Sequence, residues 1–363
     1  MKITLVAGAR PNFMKIAPLI DAILNEKKKG RAIEYRLVHT GQHYDKNMSQ
    51  SFFEELGIPE PHVNLESGGG TQAEQTANIM IKFERDLMEH PTDIVLVVGD
   101  VTSTLACSIV AKKLCIDVAH VEGGIRSGDM RMPEEVNRIV TDSITDHFFT
   151  TSEVANANLR KAGVEPEKIH FVGNTMIDTL MKNEKRLKQP ALWEEKSLQA
   201  GQYFVLTLHR PSNVDDGMQL KNIIEKIVQA SAGLPILFPV HPRTYKNLQQ
   251  VELNAPNLHL VEPMSYLQFN YLVKHAKGVI TDSGGITEET TVMGIPCITL
   301  RNSTERPETV TMGTNELIGT DPQVIPEYIQ RILAGQWKSG AIPPLWDGKA
   351  AERIIQVLSE LYQ

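Results

Sequence analysis

The chain has 363 residues, 41% apolar and 22% charged, with a formal net charge of -7. That length exceeds a usual single core and points to two domains, while the acidic balance gives no general attraction for nucleic acid or an anionic membrane. Three scattered cysteines, Cys107, Cys115 and Cys297, suit buried thiols in a reducing compartment, the apolar run at the start is too short for a signal peptide, and no stretch approaches a membrane span, so a cytoplasmic enzyme is expected.

In chain order, short β-branched runs occur at 3–7, 35–39, 94–98, 118–121, 147–150 and 169–172. Helical patterns lie between them, among others at 71–89, 103–114 and 133–145. The plan repeats at 204–208, 236–240, 258–261, 279–281, 297–300 and 316–318. Apolar runs without alternation suit parallel strands covered on both faces. The pattern predicts an α/β fold of two Rossmann-like domains, 1–176 and 177–363, facing a central cleft. A polar stretch between Gly173 and Gly201 reads as a departing helix and linker. The closing helix within 346–363 has an apolar face that suits packing on either domain. Ligands in open α/β sheets bind outside the carboxyl ends of strands, so the chemically unusual residues should lie there.

The most telling stretch is Asp282-Ser283-Gly284-Gly285-Ile286-Thr287-Glu288-Glu289, directly behind an apolar run. A strand that turns through Ser283, Gly284 and Gly285 into a helix leaves backbone N–H groups for a diphosphate. Glu289, one turn further, is positioned for ribose hydroxyls. No Gly-x-Gly-x-x-Gly fingerprint or Walker loop accompanies the turn. The expected ligand is therefore a nucleotide that is carried, with no redox cofactor.

Arg10 and Lys15 open the first helix, where acids are normally preferred; the reading is a grip on a diphosphate, the alternative a solvated basic pair. Asp100 and Glu122 end successive predicted strands, and Glu134 follows Pro133 at a helix start. Carboxylates crowded near one sugar carbon would divide into an acid and a base; helix capping is the alternative for Asp100, and a first-turn acid for Glu134. Arg126 would pair with these acids or with substrate. His209, beside Arg210, ends the first strand of the second half, and His241 is placed similarly. Arg306, in Thr304-Glu305-Arg306-Pro307-Glu308, is a further cation for the diphosphate. His39 and His43 share a glycine-containing loop without fixed geometry, and no other spacing argues for a metal site.

Taken together, these motifs resemble the non-hydrolysing UDP-N-acetylglucosamine 2-epimerases across essentially the whole chain. They are Gly8-Ala9-Arg10-Pro11 with Lys15, Thr40-Gly41-Gln42-His43, Gly99-Asp100, the run from Val121 to Asp129, Pro133-Glu134-Glu135-Val136-Asn137-Arg138, His209-Arg210, the Asp282–Glu289 stretch and Thr304–Glu308. The resemblance implies the two-domain glycosyltransferase B architecture and a homodimer. It implies exchange between UDP-GlcNAc and UDP-ManNAc through loss of the C2 proton, anti elimination of UDP, and re-addition to 2-acetamidoglucal. Asp100, Glu122 and Glu134 then form the acid/base set, and His209 attends the diphosphate or the protons. Ser283, Gly284, Gly285, Arg10 and Arg306 hold the diphosphate, Glu289 the ribose, with Phe269 and the backbone at Met264 at the uracil. In many bacterial members UDP-GlcNAc is also an activator; here Tyr44 and Asp45 follow Gln42-His43, and Gly68-Gly69-Gly70-Thr71-Gln72 carries no arginine, which argues against that second site. The Gly-Gln-His-Tyr-Asp form occurs as well in relatives acting on UDP-2,3-diacetamido-2,3-dideoxyglucuronate, the alternative substrate; a hydrolysing 2-epimerase is a further one.

Overall fold

The structure is a computed structural model and describes residues 1–41, 53–240, 242–249, 253 and 255–362. It divides into two compact units, Met1–Lys182 with Pro344–Gln363, and Asn183–Pro343. The division falls at 182/183 rather than 176/177, and the last segment belongs to the first unit.

The first unit contains β1 (Lys2–Ala7), β2 (Glu34–His39), β3 (Val63–Asn64), β4 (Ile94–Val98), β5 (Asp117–Val121), β6 (His147–Thr150) and β7 (Ile169–Phe171). They form one parallel sheet in the order β3-β2-β1-β4-β5-β6-β7. The second unit contains β8 (Phe204–Thr207), β9 (Ile236–Pro239), β10 (Leu258–Val261), β11 (Gly278–Thr281), β12 (Cys297–Thr299) and β13 (Asn315–Leu317), ordered β10-β9-β8-β11-β12-β13 and again all parallel. The α/β class expected from the apolar runs is therefore the one observed. Only β3 was not foreseen; a two-residue edge strand is too short to carry a pattern.

Both faces of each sheet are covered, which is why the strands read as continuous apolar runs. Along β8, Phe204 and Leu206 pack with Ile223, Ile227 and Ile329, while Val205 turns the other way onto Leu237, Leu272 and Val279. In both sheets the strand order reverses beside the first strand, between β1 and β4 and between β8 and β11. Neighbouring loops diverge at such a point and leave a crevice at the carboxyl ends of the strands.

The closing helix Ala350–Leu361 packs on helix Arg10–Lys28 of the first unit. Asp178 accepts from its first N–H groups, Ala350 at 3.1 Å and Ala351 at 2.7 Å. Ahead of it, the buried Trp346 indole donates to the Thr151 carbonyl at 3.0 Å. Leu358 is fully buried on this face and Leu361 is largely exposed. Leu358→Ala should therefore cost about 2–5 kcal/mol in urea unfolding, and Leu361→Ala less than about 0.5 kcal/mol.

Candidate functional site

In the first unit the reversal point is stitched by Asn12, a buried residue in the first turn of helix Arg10–Lys28. Its Oδ1 accepts from the Gly8 and Ala9 N–H groups at 3.1 and 2.9 Å, and its Nδ2 donates to the Val98 carbonyl at 3.0 Å. The loop after β1 is thereby tied to the end of β4. One turn on, Lys15 reaches Glu122 behind β5, with Nζ 2.7 and 2.8 Å from the two carboxylate oxygens. Lys15 was expected on a diphosphate; here it neutralises a carboxylate that is only 4% exposed. A buried carboxylate without such a partner is costly. Glu122 also has φ 73°, a left-handed conformation that a side chain rarely adopts. Gly99 lies alongside: a Cβ there would sit 3.6 Å from the Lys15 Nζ and 3.9 Å from Glu122 Oε2.

Asp100 follows Gly99. Both guanidinium bonds from the buried Arg138 fall on its Oδ2, at 2.5 and 3.1 Å, and Oδ1 receives neither. Arg138 also donates to Glu135 at 2.6 Å. Glu135 in turn accepts from the Ser127 and Gly128 N–H groups, each at 2.9 Å. Burial pushes the Glu135 carboxyl up, but those N–H groups and Arg138 outweigh it and hold it below its ordinary value. Glu134 stands in the first turn of helix Pro133–Ile144, partly exposed, with no hydrogen bond or ion pair among the described residues. Arg10 opens its helix partly buried; burial opposes its charge and Glu55 supports it.

Arg126 does not join this group. Its Nη1 lies 2.6 Å from Asp142 and donates to its own neighbour's carbonyl at Ile125. The side chain lines a separate cavity of about 460 Å³ with Ile139, Ser143 and Lys168. The expected pairing with Asp100, Glu122 or Glu134 is corrected accordingly: Asp142, from helix Pro133–Ile144, is the nearer anion.

In the second unit β8 and β11 are adjacent, with Thr207 opposite Thr281, so His209 and Asp282 meet just beyond the sheet. Asp282 is fully buried and lies 2.7 Å from His209 Nδ1. It accepts from the backbone N–H of His209 and Arg210 and from Asn213 Nδ2, at 3.1, 2.9 and 3.0 Å. Burial raises the Asp282 carboxyl, yet the bonds from His209, Asn213 and Arg210 hold it below the ordinary value. With Nδ1 engaged, Nε2 is the ring nitrogen left for chemistry on a side chain that is 54% exposed.

Helix Gly284–Met293 starts behind β11 with Ser283 at its cap and no acid in its first turn. The Ser283 N–H is taken by Thr281 Oγ1 at 3.0 Å. The expected set of open N–H groups thus narrows to Gly284 and Gly285, whose positions have no intrahelical acceptor. Beside them stand Glu305 and Arg301, the pair 2.7 Å apart, with Arg210 3.9 Å from Glu305. A Cβ on Gly284 would lie 3.1 Å from Glu305 and 3.9 Å from Arg301. Arg306, expected at the diphosphate, is instead buried in an ion pair with Glu288. Arg301 is the arginine next to the turn, one strand end away in sequence but without a motif of its own.

Glu289 is buried against helix Tyr266–His275, whose Asn270 donates to it at 3.3 Å. Burial pushes its carboxyl up to about 7 despite bonds from Tyr266 and Asn270, with Glu288 adding to the rise. Met264 and Phe269, half-buried, pack with Ile286 on the same apolar cluster. The segment expected at a base and the acid expected at a ribose are thus neighbours. Gln42, His43, Tyr44, Asp45 and His241 lie outside the described residues. Among the described residues no group of three or more His, Cys, Asp or Glu is arranged to hold a metal, and no helix is long and apolar enough to cross a membrane.

Residues 25–359 match the family described as UDP-N-acetylglucosamine 2-epimerase. The chain is 41% identical to the UDP-N-acetylglucosamine 2-epimerase of Methanocaldococcus jannaschii, over 99% of each chain. It is 37% identical to the UDP-2,3-diacetamido-2,3-dideoxy-D-glucuronate 2-epimerase of Pseudomonas aeruginosa, over 99% of this chain and 100% of that one. A crystal structure of the Methanocaldococcus jannaschii UDP-GlcNAc 2-epimerase, in complex with UDP-GlcNAc and UDP, superposes with a TM-score of 0.88 at 40% identity, covering 99% of this chain and 100% of that one.

Because the folded Glu289 carboxyl titrates near 7 against an ordinary 4.5, its protonated form is the one the fold favours. Its contribution to stability is complete below pH 4.5 and is lost as pH rises through about 7. Urea unfolding at pH 5 and pH 8 should show a decline in the wild type that Glu289→Gln reduces by up to about 3 kcal/mol.

Proposed function

The chain belongs to the UDP-N-acetylglucosamine 2-epimerase family, and from that premise we propose that it interconverts UDP-GlcNAc and UDP-ManNAc without hydrolysis. The observation that carries this reading is the chemistry at the two strand-order reversals. One holds carboxylates paired with cations, and the other holds a Ser-Gly-Gly helix start beside a His–Asp pair.

Removing a weakly acidic C2 proton while UDP leaves C1 requires a placed base and stabilisation of the departing diphosphate. Asp100 takes the C2 proton: Arg138 holds Oδ2, so Oδ1 is the oxygen turned to this task. Glu122, with Lys15 beside it, and Glu134 complete the acid/base set. In the second half of the exchange an acid of this set delivers a proton to the opposite face of C2 as UDP adds back to C1 of 2-acetamidoglucal. The Gly284 and Gly285 N–H groups, Arg10 and Arg301 receive the diphosphate charge. His209, oriented by Asp282, donates from Nε2 to the leaving oxygen or shuttles a proton there. Glu289 takes the ribose hydroxyls, with Met264 and Phe269 at the uracil. Excluding water keeps the glucal intermediate from side reactions.

A second reading, the same chemistry on a diacetamido uronate, is favoured by the 37% identity to the Pseudomonas aeruginosa enzyme. Incubation of each UDP-sugar in deuterated water, followed by proton NMR, separates the alternatives. Deuterium at C2 of retained UDP-GlcNAc and UDP-ManNAc is expected; exchange only in the uronate would move the assignment to that sugar, and accumulating free sugar would reject a non-hydrolysing enzyme. Asp100→Asn should lower turnover by roughly 10²–10⁴-fold with UDP binding retained. A variant that turns over like the wild type would remove Asp100 from the role of base.

A further inference from the structure

His120 and Asp142 lie in the interior of the first unit, with 0% and 5% of their surfaces exposed. They belong to no motif read as functional. His120 Nδ1 is 2.7 Å from Asp142 Oδ1, and its Nε2 is 2.8 Å from the carbonyl oxygen of Gly99. Asp142 Oδ2 accepts from the Gly124 N–H at 3.0 Å. The pair thus runs from the residue before Asp100 to the second residue after Glu122. Both ring nitrogens of His120 face oxygen atoms, one on Asp142 and one on the Gly99 backbone. Arg126 Nη1 lies 2.6 Å from Asp142 Oδ2.

The sheet alone leaves this region undetermined. The β4–β5 ladder ends at Val98 opposite Val121, so Gly99, Asp100 and Glu122 lie beyond its regular pairing. Gly99 and Glu122 both have left-handed φ, 72° and 73°. A non-glycine residue persists there only where its surroundings over-determine it. Around Glu122, the N–H is held by the Phe149 carbonyl at 2.9 Å, Lys15 holds the carboxylate, and Asp142 holds Gly124. Close packing adds a restraint, because a Cβ on Gly124 would fall 2.4 Å from the Ala155 carbonyl oxygen. Around Gly99, Val121 accepts its N–H at 3.0 Å and His120 holds its carbonyl.

We propose that His120 is a positioning residue for the epimerisation: bridging Gly99 and, through Asp142, Gly124, it sets the placement of Asp100 relative to Glu122 without touching substrate. The assignment rests on the epimerase reading. Geometry set this tightly matters because a displacement of about 1 Å at reacting groups costs on the order of 10²-fold in rate.

The test uses two substitutions that divide the ring's functions. In His120→Asn the amide nitrogen stands near Nδ1 and keeps Asp142 but loses Gly99; in His120→Gln it stands near Nε2 and keeps Gly99 but loses the direct bond to Asp142. The readouts are kcat and KM from C2 deuterium exchange, with kcat expressed per UDP-binding site counted calorimetrically, so that unfolded protein does not enter. His120→Asn should lose kcat on the order of 10²-fold with UDP affinity unchanged, and His120→Gln about tenfold less than that. Equal losses in the two variants, or UDP affinity falling in step with kcat, would overturn the proposal. Should neither variant fold, Asp142→Asn is read in the same way: loss of kcat with UDP binding kept supports it, and parallel loss rejects it. A wild type that exchanges C2 while the variants match it rejects this assignment alone; a wild type without exchange rejects the epimerase reading and this assignment with it.

Discussion

Pairing of buried carboxylates with cations from other elements is the constraint on which the rest depends. Glu122 is met by Lys15 from the first helix, Asp142 by Arg126 from the loop after β5, and Glu288 by Arg306. None of these acids could be buried alone, since an uncompensated interior charge costs several kcal/mol. Each pairing therefore fixes two elements relative to one another within its unit, as well as the chemistry of the acid.

The strand order supplies the meeting places. In both sheets the first strand lies between the second and the fourth, and Arg10, Asp100, His209 and the Ser283–Gly285 turn follow the strands at that reversal. Parallel strands all deliver their carboxyl ends to one edge, so residues far apart in sequence converge there without special design. Asn12 shows how little is needed to finish the arrangement: one buried amide joins the loop after β1 to the end of β4.

Much of this was legible in the residues. Apolar runs marked nearly every strand, and the Asp282–Glu289 stretch marked a helix start because serine, glycine and glycine after a strand have few other uses. The ion pairs that were not anticipated have a common origin. Arg126 and Arg306 are cations beside motif residues, and adjacency in sequence does not say which anion is nearest in space. Asp142 and Glu288 took them. Asp282, Arg138 and Arg301 were overlooked as partners for the same reason, although Arg138 stands three residues after Glu135, a helical spacing that permitted the bond found at 2.6 Å. His120 had no signal at all, being one residue inside an apolar strand.

By itself, then, the amino-acid order determined the parallel α/β class, the strands and turns, and a family membership carried by motifs in series, because hydrophobic period and turn chemistry are local properties. Which carboxylate keeps which cation, that the last helix returns to the first unit, and that a buried histidine spans the residues next to Asp100 and Glu122 were decided by the tertiary structure. These are questions of distance and orientation between residues remote in sequence, on which Coulomb and hydrogen-bond energies depend together with burial.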